Sequence, residues 1–397
     1  MKQFESDILI VGSGLTGIIA AYALSSLNHN IIIIDQKKIL LNNKPDFKSL
    51  QHDTRTTAIA EGSKEFLSKI GLWQNLNKFS EPIKKIKVID RTPNKKIDFF
   101  NNKKNSNLGY IIENSNFLSI TLKKLIKKNN IRFIDQAELK DIKSFKNRIN
   151  CEFNNCIIST KLLIAADGKN SSIRSIKKTK IYKKTYKENA LVVNFDHTAN
   201  HNNCAYEFFY NNGPLALLPM KKKQNFKSSL IWSNNKNYLE SLINADQHLL
   251  KEVLQEKISE TLGNIIKINS KKLFPLSAHI NYKFYDKQIV YIGDAAHSVH
   301  PIAGQGWNLG LRDVKKLYYL IEKHMSLGLE IESRQLCEEY HQACFYDAFR
   351  LFQITDKLNS LFMVENRILN GFRDIGFNII ENNSNLKKQI SNFAMGI

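Results

Sequence analysis

The stretch from residue 6 to residue 35 restricts this chain more than any other. It reads SDILIVGSGLTGIIAAYALSSLNHNIIIID: an apolar run, a glycine turn, a helix-forming segment and a second apolar run closed by Asp35. Both runs are apolar at successive positions instead of alternating, which suits parallel strands buried on both faces. Strand, turn, helix and strand in this order make a βαβ unit, and that unit calls for a doubly wound α/β sheet. Gly12, Gly14 and Gly17 form a GxGxxG turn. Its first two glycines permit the tight turn and let a pyrophosphate approach the helix N-terminus, with Leu15 and Thr16 beside it. Asp35, about 20 residues on and followed by Gln36, can accept a hydrogen bond from a ribose hydroxyl. The unit therefore reads as a dinucleotide site, and it does not separate NAD from FAD.

With 397 residues, 43% of them hydrophobic and 24% charged, the chain can bury one large core or two interleaved ones. No apolar run approaches the roughly 18 residues that span a bilayer, and the N-terminus enters a strand without a signal-peptide pattern. A cytoplasmic protein is expected, with Cys151, Cys156, Cys204, Cys337 and Cys344 as reduced thiols. The net charge of +21 comes from lysines spread along the whole chain, as in KKIKVIDRTPNKKIDFFNNKKN at 84–105. They read as solvated surface, and no nucleic-acid-binding motif accompanies them.

Three further segments carry candidate chemistry. Arg55 lies in DTRTTAIAEGSKEF, in a loop ahead of a helix. LLIAADGKNSSIR is an apolar strand ending at Asp167 and Gly168, which by itself could be a plain turn. The segment IGDAAHSVHPIAGQGWNLGLRD, 292–313, places Asp294 at a strand end, where it can bind a polyol hydroxyl. Its Gly304 and Gly306 let backbone N–H groups approach a ligand ring, ahead of a helix expected to begin near Trp307. His297 and His300 have H-x-x-H spacing, but no carboxylate or Cys cluster supports a metal there. No G-x-S-x-G elbow occurs. A helix is expected over about 115–129 with Ser115 as N-cap. From Glu338 the apolar residues Phe345, Phe349, Phe352, Leu358, Leu361 and Phe362 recur near a helical period, as a stripe packed on the protein itself, a partner or a membrane.

In this order and spacing the four motifs resemble the class A flavoprotein monooxygenases of the p-hydroxybenzoate hydroxylase fold. More narrowly, GYIIEN (109–114), GPLALLP (213–219), the Trp232 strand, FPL (274–276) and HPIAGQGWNLGLRD resemble the ubiquinone-biosynthesis FAD-dependent hydroxylases of that family. The resemblance implies a Rossmann-like FAD-binding domain interleaved with a mainly β substrate domain, plus C-terminal helices. The expected division gives 1–80, 106–175 and 281–335 to the FAD-binding domain, 81–105 and 176–280 to the substrate domain, and 336–397 to the helices. Gly12, Gly14, Asp35 and Arg55 would hold the ADP half of FAD and Asp294 the ribityl chain. The flavin ring would lie against Pro301, Gly304, Gln305, Gly306, Asn308 and Leu309, where a helix N-terminus favours the anionic reduced ring. Asp167 and Gly168 would serve both FAD and NAD(P)H.

The implied reaction is ring hydroxylation by NAD(P)H and O2 through a flavin C4a-hydroperoxide. The implied substrate is a polyprenylated phenol, a quinone precursor that lives in the bilayer, so an anionic membrane surface on the inner face is an expected partner. A homo-oligomer or a quinone-biosynthesis complex is also compatible with the sequence. Phe208, Leu215, Leu217 and Pro219 are expected to line the ring pocket. The cofactor performs the hard chemistry, so no single catalytic acid or base is assigned. No W-x-W-x-I-P, no F-x-G-x-x-x-H and no second GxGxxG occurs, which leaves NAD(P)H to bind transiently. The competing readings are a flavin monooxygenase of a small soluble phenol and a non-catalytic FAD-containing assembly factor.

Overall fold

A computed structural model describes residues 1–41, 44–45, 53–91, 95–101, 106–222, 224–363 and 367–396. The first βαβ unit is β1 (Lys2–Val11), α1 (Leu15–Leu24) and β2 (Ile31–Ile34). Then come β3 (Thr56–Ala60), α2 (Glu61–Lys69), the antiparallel pair β4 (Lys85–Asp90) and β5 (Lys95–Phe100), β6 (Gly109–Glu113) and α3 (Asn114–Leu125). Four strands follow: β7 (Ile131–Ile134), β8 (Leu139–Ser144), β9 (Ile149–Phe153) and β10 (Cys156–Ala165), the last leading into a short helix α4 (Ser172–Ile176). A strand-rich stretch holds β11 (Ile181–His197), β12 (Cys204–Tyr210), β13 (Gly213–Met220) and β14 (Phe226–Asn235). Helices α5 (Lys236–Asn244) and α6 (Gln247–Leu262) precede β15 (Ile265–Asn281), β16 (Ile289–Tyr291) and β17 (His297–Ser298). The chain ends in α7 (Gln305–Ser326), α8 (Arg334–Met363), α9 (Arg367–Asn382) and α10 (Ser384–Met395).

The first sheet runs β7-β2-β1-β10-β9-β8, with β16 pairing the end of β10 on the same edge as β9. Its β7, β2, β1, β10 and β16 are parallel neighbours, as the uninterrupted apolar runs require. Ile8, Leu9, Ile10, Ile31, Ile33, Ile34, Leu162, Leu163 and Ile164 are all buried at its centre. Each such side chain contributes on the order of 1.5–3 kcal/mol by leaving water. The second sheet runs β17-β15-β11-β14-β13-β12-β4-β5. Segment 85–100 thus joins strands that begin at residue 181, and the two sheets are interleaved along the chain. On its outer face Phe208, Leu215, Leu217, Leu230 and Trp232 pack under Leu239 and Leu242 of α5 and Leu250 and Leu254 of α6. Its inner face looks toward the loop before α7.

Two local expectations shift. Helix α3 starts at Asn114 with Glu113 at its N-cap, so Ser115 lies inside the first turn. Asn114 turns inward instead, accepting from Thr57 Oγ1 at 2.6 Å and donating to Asp53 Oδ2 at 3.1 Å. Helix α7 starts at Gln305, two residues earlier than expected, because Gly304 takes a left-handed N-cap at φ +61°. The C-terminal apolar stripe packs mostly on the protein itself. Phe352 joins the main core, Phe362, Leu358 and Leu361 join a cluster with Phe209 and Ile302, and Phe349 stays exposed.

Candidate functional site

The three glycines of the first turn do different work. Gly12 has φ +108°, and a Cβ on it would lie 2.2 Å from the Ala166 carbonyl oxygen at the end of β10. A Cβ on Gly17 would lie 2.0 Å from the Gly12 carbonyl oxygen, so this glycine lets α1 close on the turn. Gly14, the N-cap of α1, meets nothing within 4 Å and leaves its side of the turn open. Asp35 braces the loop: its Oδ2 accepts from the backbone N–H and the hydroxyl of Ser13, both at 2.7 Å. Thr16 and Leu15 are half-buried on the first turn of α1, and Gln36 is exposed beside Asp35.

The other three motifs meet this turn from residues far away in sequence. Thr16 packs so closely on Gly293 and Gly310 that a Cβ on either would approach its hydroxyl to 2.9 and 3.2 Å. Asn308 on α7 reaches segment 58–63: its Oδ1 accepts from Ala60 N and Ser63 Oγ, and its Nδ2 donates to the Ala58 carbonyl. Arg55 pairs with Asp53 at 2.7 Å and lays its guanidinium over Phe274. Asp167 Oδ2 accepts from Ser172 Oγ and Ile173 N at the start of α4, while its buried Oδ1 has no partner among the described residues. Gly168 follows at φ +81°.

Arg174 on α4 ties the third motif to the fourth. It donates to the Ala295 and Lys169 carbonyls and to His279 Nε2. Burial first, and Arg174 second, push His279 down to about 3, so the neutral ring is the acceptor. Asp313 on α7 holds the same loop from the other side, accepting from Gly293 N at 2.9 Å and from His297 Nε2 at 2.6 Å, with both side chains 2% exposed. His300 lies edge-on to Tyr186, and burial pushes its imidazole down to about 4.

Asp294 is the focus of this arrangement. It is surrounded by many protein atoms yet is exposed, so it lines a hollow. Burial pushes its carboxyl up, while His297, Lys169, Arg55 and Arg174 act against that push. Those groups come from the second, third and fourth motifs, which meet at Asp294. Pro301, Gly304, Gln305 and Gly306 are half-buried along its rim at the N-terminus of α7, and Gln305 Nε2 donates to the Ala394 carbonyl of α10.

The FAD-binding-domain family matches residues 5–345. This chain belongs to that family. Ubiquinone hydroxylase UbiL of Rhodospirillum rubrum is 28% identical over 392 residues, covering 98% of this chain and 90% of the relative. The mitochondrial ubiquinone biosynthesis monooxygenase COQ6 of Dictyostelium discoideum is 25% identical over 460 residues, covering 98% and 91%. The crystal structure of p-nitrophenol 4-monooxygenase PnpA from Pseudomonas putida superposes with a TM-score of 0.78 at 14% identity, covering 98% and 97%; it shows the same fold. FAD fits what this chain offers: an open glycine face at Gly14, a buried Asp167 oxygen without a protein donor, and an Asp294 carboxylate facing a hollow.

Not every expected residue reaches the FAD site. Phe208, Leu215 and Leu217 lie in the outer core under α5 and α6, and Pro219 follows the same alternation on β13, so these four do not line a ring pocket beside Gly304. The Leu309 side chain packs in the main core. Lys169, Arg174 and Asp313 also join this arrangement, without a role assigned to them from sequence. Arg174 follows Asp167 within one turn-and-helix unit and Asp313 closes the last motif, which was the available signal.

Proposed function

We propose that this chain hydroxylates the ring of a polyprenylated phenol, with NAD(P)H as reductant and O2 as oxygen donor. The balance is ring C–H + O2 + NAD(P)H + H⁺ giving ring C–OH + NAD(P)⁺ + H2O. FAD, when bound, supplies electron transfer from NAD(P)H and activation of O2. The observation that carries this reading is the convergence of four separated motifs on the hollow at Asp294. The names of the relatives favour it over a soluble-phenol enzyme or an assembly factor.

In this reading Gly14 admits the pyrophosphate, Asp35 and Arg55 hold the ADP half, and Asp294 holds the ribityl hydroxyls. Asp167 Oδ1 and Gly168 meet FAD or NAD(P)H, and Asp313 keeps the 293–297 loop in place. The N–H groups of Gln305 and Gly306, at the positive end of α7, receive negative charge on the ring. The inner face of the second sheet and the C-terminal helices exclude water from the reacting ring. The FAD-loaded protein, given a prenylated phenol and isotopically labelled O2, is expected to oxidise NAD(P)H and add one labelled oxygen to the ring. Substrate-independent NAD(P)H oxidation without product would refute the reading.

Among the described residues no helix is long and apolar enough to cross a membrane. Tyr346 and Phe349 on α8 and Ile375 and Ile379 on α9 are exposed. With a net charge of +21, such exposed apolar side chains suit contact with an anionic bilayer. Binding to anionic vesicles at low salt checks it; equal binding to neutral vesicles would refute the electrostatic part.

A further inference from the structure

The inner face of the second sheet carries an acid that no neighbour answers. Glu207 on β12 lies between Val88 of β4 and Ala216 of β13, with Ala205 and Phe209 before and after it on the same face. Ala205 belongs to a cluster with Met220, Leu218 and Ala58, and Phe209 to one with Ile302, Phe362 and Val88. Ile302 precedes Gly304 in its own loop, and a Cβ on Gly304 would touch Ala58 at 3.2 Å. The carboxyl therefore stands in an apolar wall beside the loop of the flavin ring.

Neighbouring acids differ. Asp90, on the same face and next to Phe209, pairs with Arg373, and Glu113 pairs with Lys227. Glu207 makes no hydrogen bond or ion pair among the described residues. Like Asp294, it is surrounded by many protein atoms but keeps some accessible surface. A carboxyl left unpaired in apolar surroundings is costly unless a ligand meets it. The fitting ligand is apolar around its rim and carries a hydrogen-bond donor, as a phenol does.

We propose that Glu207 binds the ring hydroxyl of the substrate and accepts its proton during oxygen insertion. This rests on the monooxygenase reading, in which O2 and NAD(P)H supply the oxygen atom and electrons. As the new C–O bond forms at a carbon ortho or para to the hydroxyl, the O–O bond of the reduced dioxygen breaks, its other oxygen leaves as water, and the substrate O–H bond breaks. Its electron pair moves toward the ring and leaves a ring ketone, and the proton goes to a Glu207 oxygen. Loss of the hydrogen at the oxygenated carbon as a proton to solvent restores the aromatic ring, and Glu207 returns its proton to the ketone oxygen. Burial pushes the Glu207 carboxyl up to about 8, near the working pH of an efficient proton acceptor.

The test uses FAD-loaded wild type, Glu207→Gln and Glu207→Leu, with 2-geranylphenol and its methyl ether as probes. Without turnover, binding is read from the change in flavin absorbance at about pH 9, a unit above the value for Glu207. Wild type is expected to prefer the phenol by at least about tenfold, and Glu207→Leu to bind both alike. With turnover, kcat/KM of wild type is expected to rise about tenfold per pH unit up to about 8 and then level, whereas the isosteric Glu207→Gln stays flat. Equal binding of phenol and ether by wild type, or an unchanged pH rise in Glu207→Gln, would overturn the proposal. A wild type that makes no hydroxylated product at any pH would sink the monooxygenase reading instead, and the binding preference would still decide whether Glu207 meets the hydroxyl.

Discussion

The three glycines of the first turn should separate cleanly by alanine substitution. In Gly12→Ala the new side chain is held at a positive φ, at about 1–2 kcal/mol, and must push away the Ala166 carbonyl 2.2 Å from it. Overpacking of that kind costs a further 1–3 kcal/mol or so, so the apoprotein should lose about 3 kcal/mol. Gly17→Ala gains about 1 kcal/mol of helix propensity and loses somewhat more against the Gly12 carbonyl, for a net loss of about 1 kcal/mol. Gly14→Ala meets nothing within 4 Å and sits at φ −66°. Its small cap penalty is offset by a stiffer unfolded chain, and the apoprotein should stay within about 0.5 kcal/mol of wild type. The same methyl group occupies the face offered to the pyrophosphate, where a lost charge-assisted contact is worth about 2 kcal/mol, or roughly 30-fold in FAD affinity. Urea unfolding of the three apoproteins, with FAD titrated by fluorescence quenching, reads both quantities. A Gly14→Ala protein that binds FAD normally, or unfolds as easily as Gly12→Ala, would show that the open face does not serve the cofactor.

Three further outcomes follow from the site. Asp313→Asn removes the charge from a buried pair with His297 and should cost about 3 kcal/mol together with much of the FAD affinity; a variant with wild-type melting would contradict the bracing role. Phe208→Ala should cost about 3–5 kcal/mol yet leave phenol affinity near wild type, because its ring packs under α5 and α6; a large loss of phenol affinity in the folded variant would return it to the pocket. Glu207 is neutral in the folded protein until about pH 8 but ionises near 4.5 when unfolded, so its contribution to stability is complete below 4.5 and fades as pH rises toward 8. The ceiling is about 5 kcal/mol at 1.36 kcal/mol per unit, lowered by water in the hollow. Melting of the Glu207→Gln apoprotein should lack that part of the pH dependence, and an unchanged profile would refute it.

The βαβ opening and the order of the motifs were legible because they obey local rules: an apolar strand, a glycine where a side chain cannot fit, an acid at the next strand end. The ring pocket was not. In GPLALLP the residues of both faces are apolar, because α5 and α6 cover one face while Leu218 on the other packs with Ala58, Ile83 and Ile111. Alternation that would mark one side as solvent is missing, and Leu215 could not be told from Leu218. Glu207 was passed over in AYEFFY, where it is a lone acid among aromatic residues, and only the register with Val88 and Ala216 shows which way it faces. The start of α7 shifted for a local reason, since Gly304 can take a left-handed cap that residues without such freedom avoid.

The pairing of Gly12 with Ala166, Thr16 with Gly293 and Ala58 with Asn308 has a consequence for how the protein is made. A ribosome that has released the first 80 residues has exposed the whole glycine fingerprint and none of the surfaces that shape it. Synthesis proceeds at roughly 5–20 residues per second, so on the order of tens of seconds pass before α7 emerges. Until then the nascent chain has no site in which to retain the cofactor. Loading with FAD therefore waits for α7, and the emerging first sheet must be kept from aggregating without the cofactor's help.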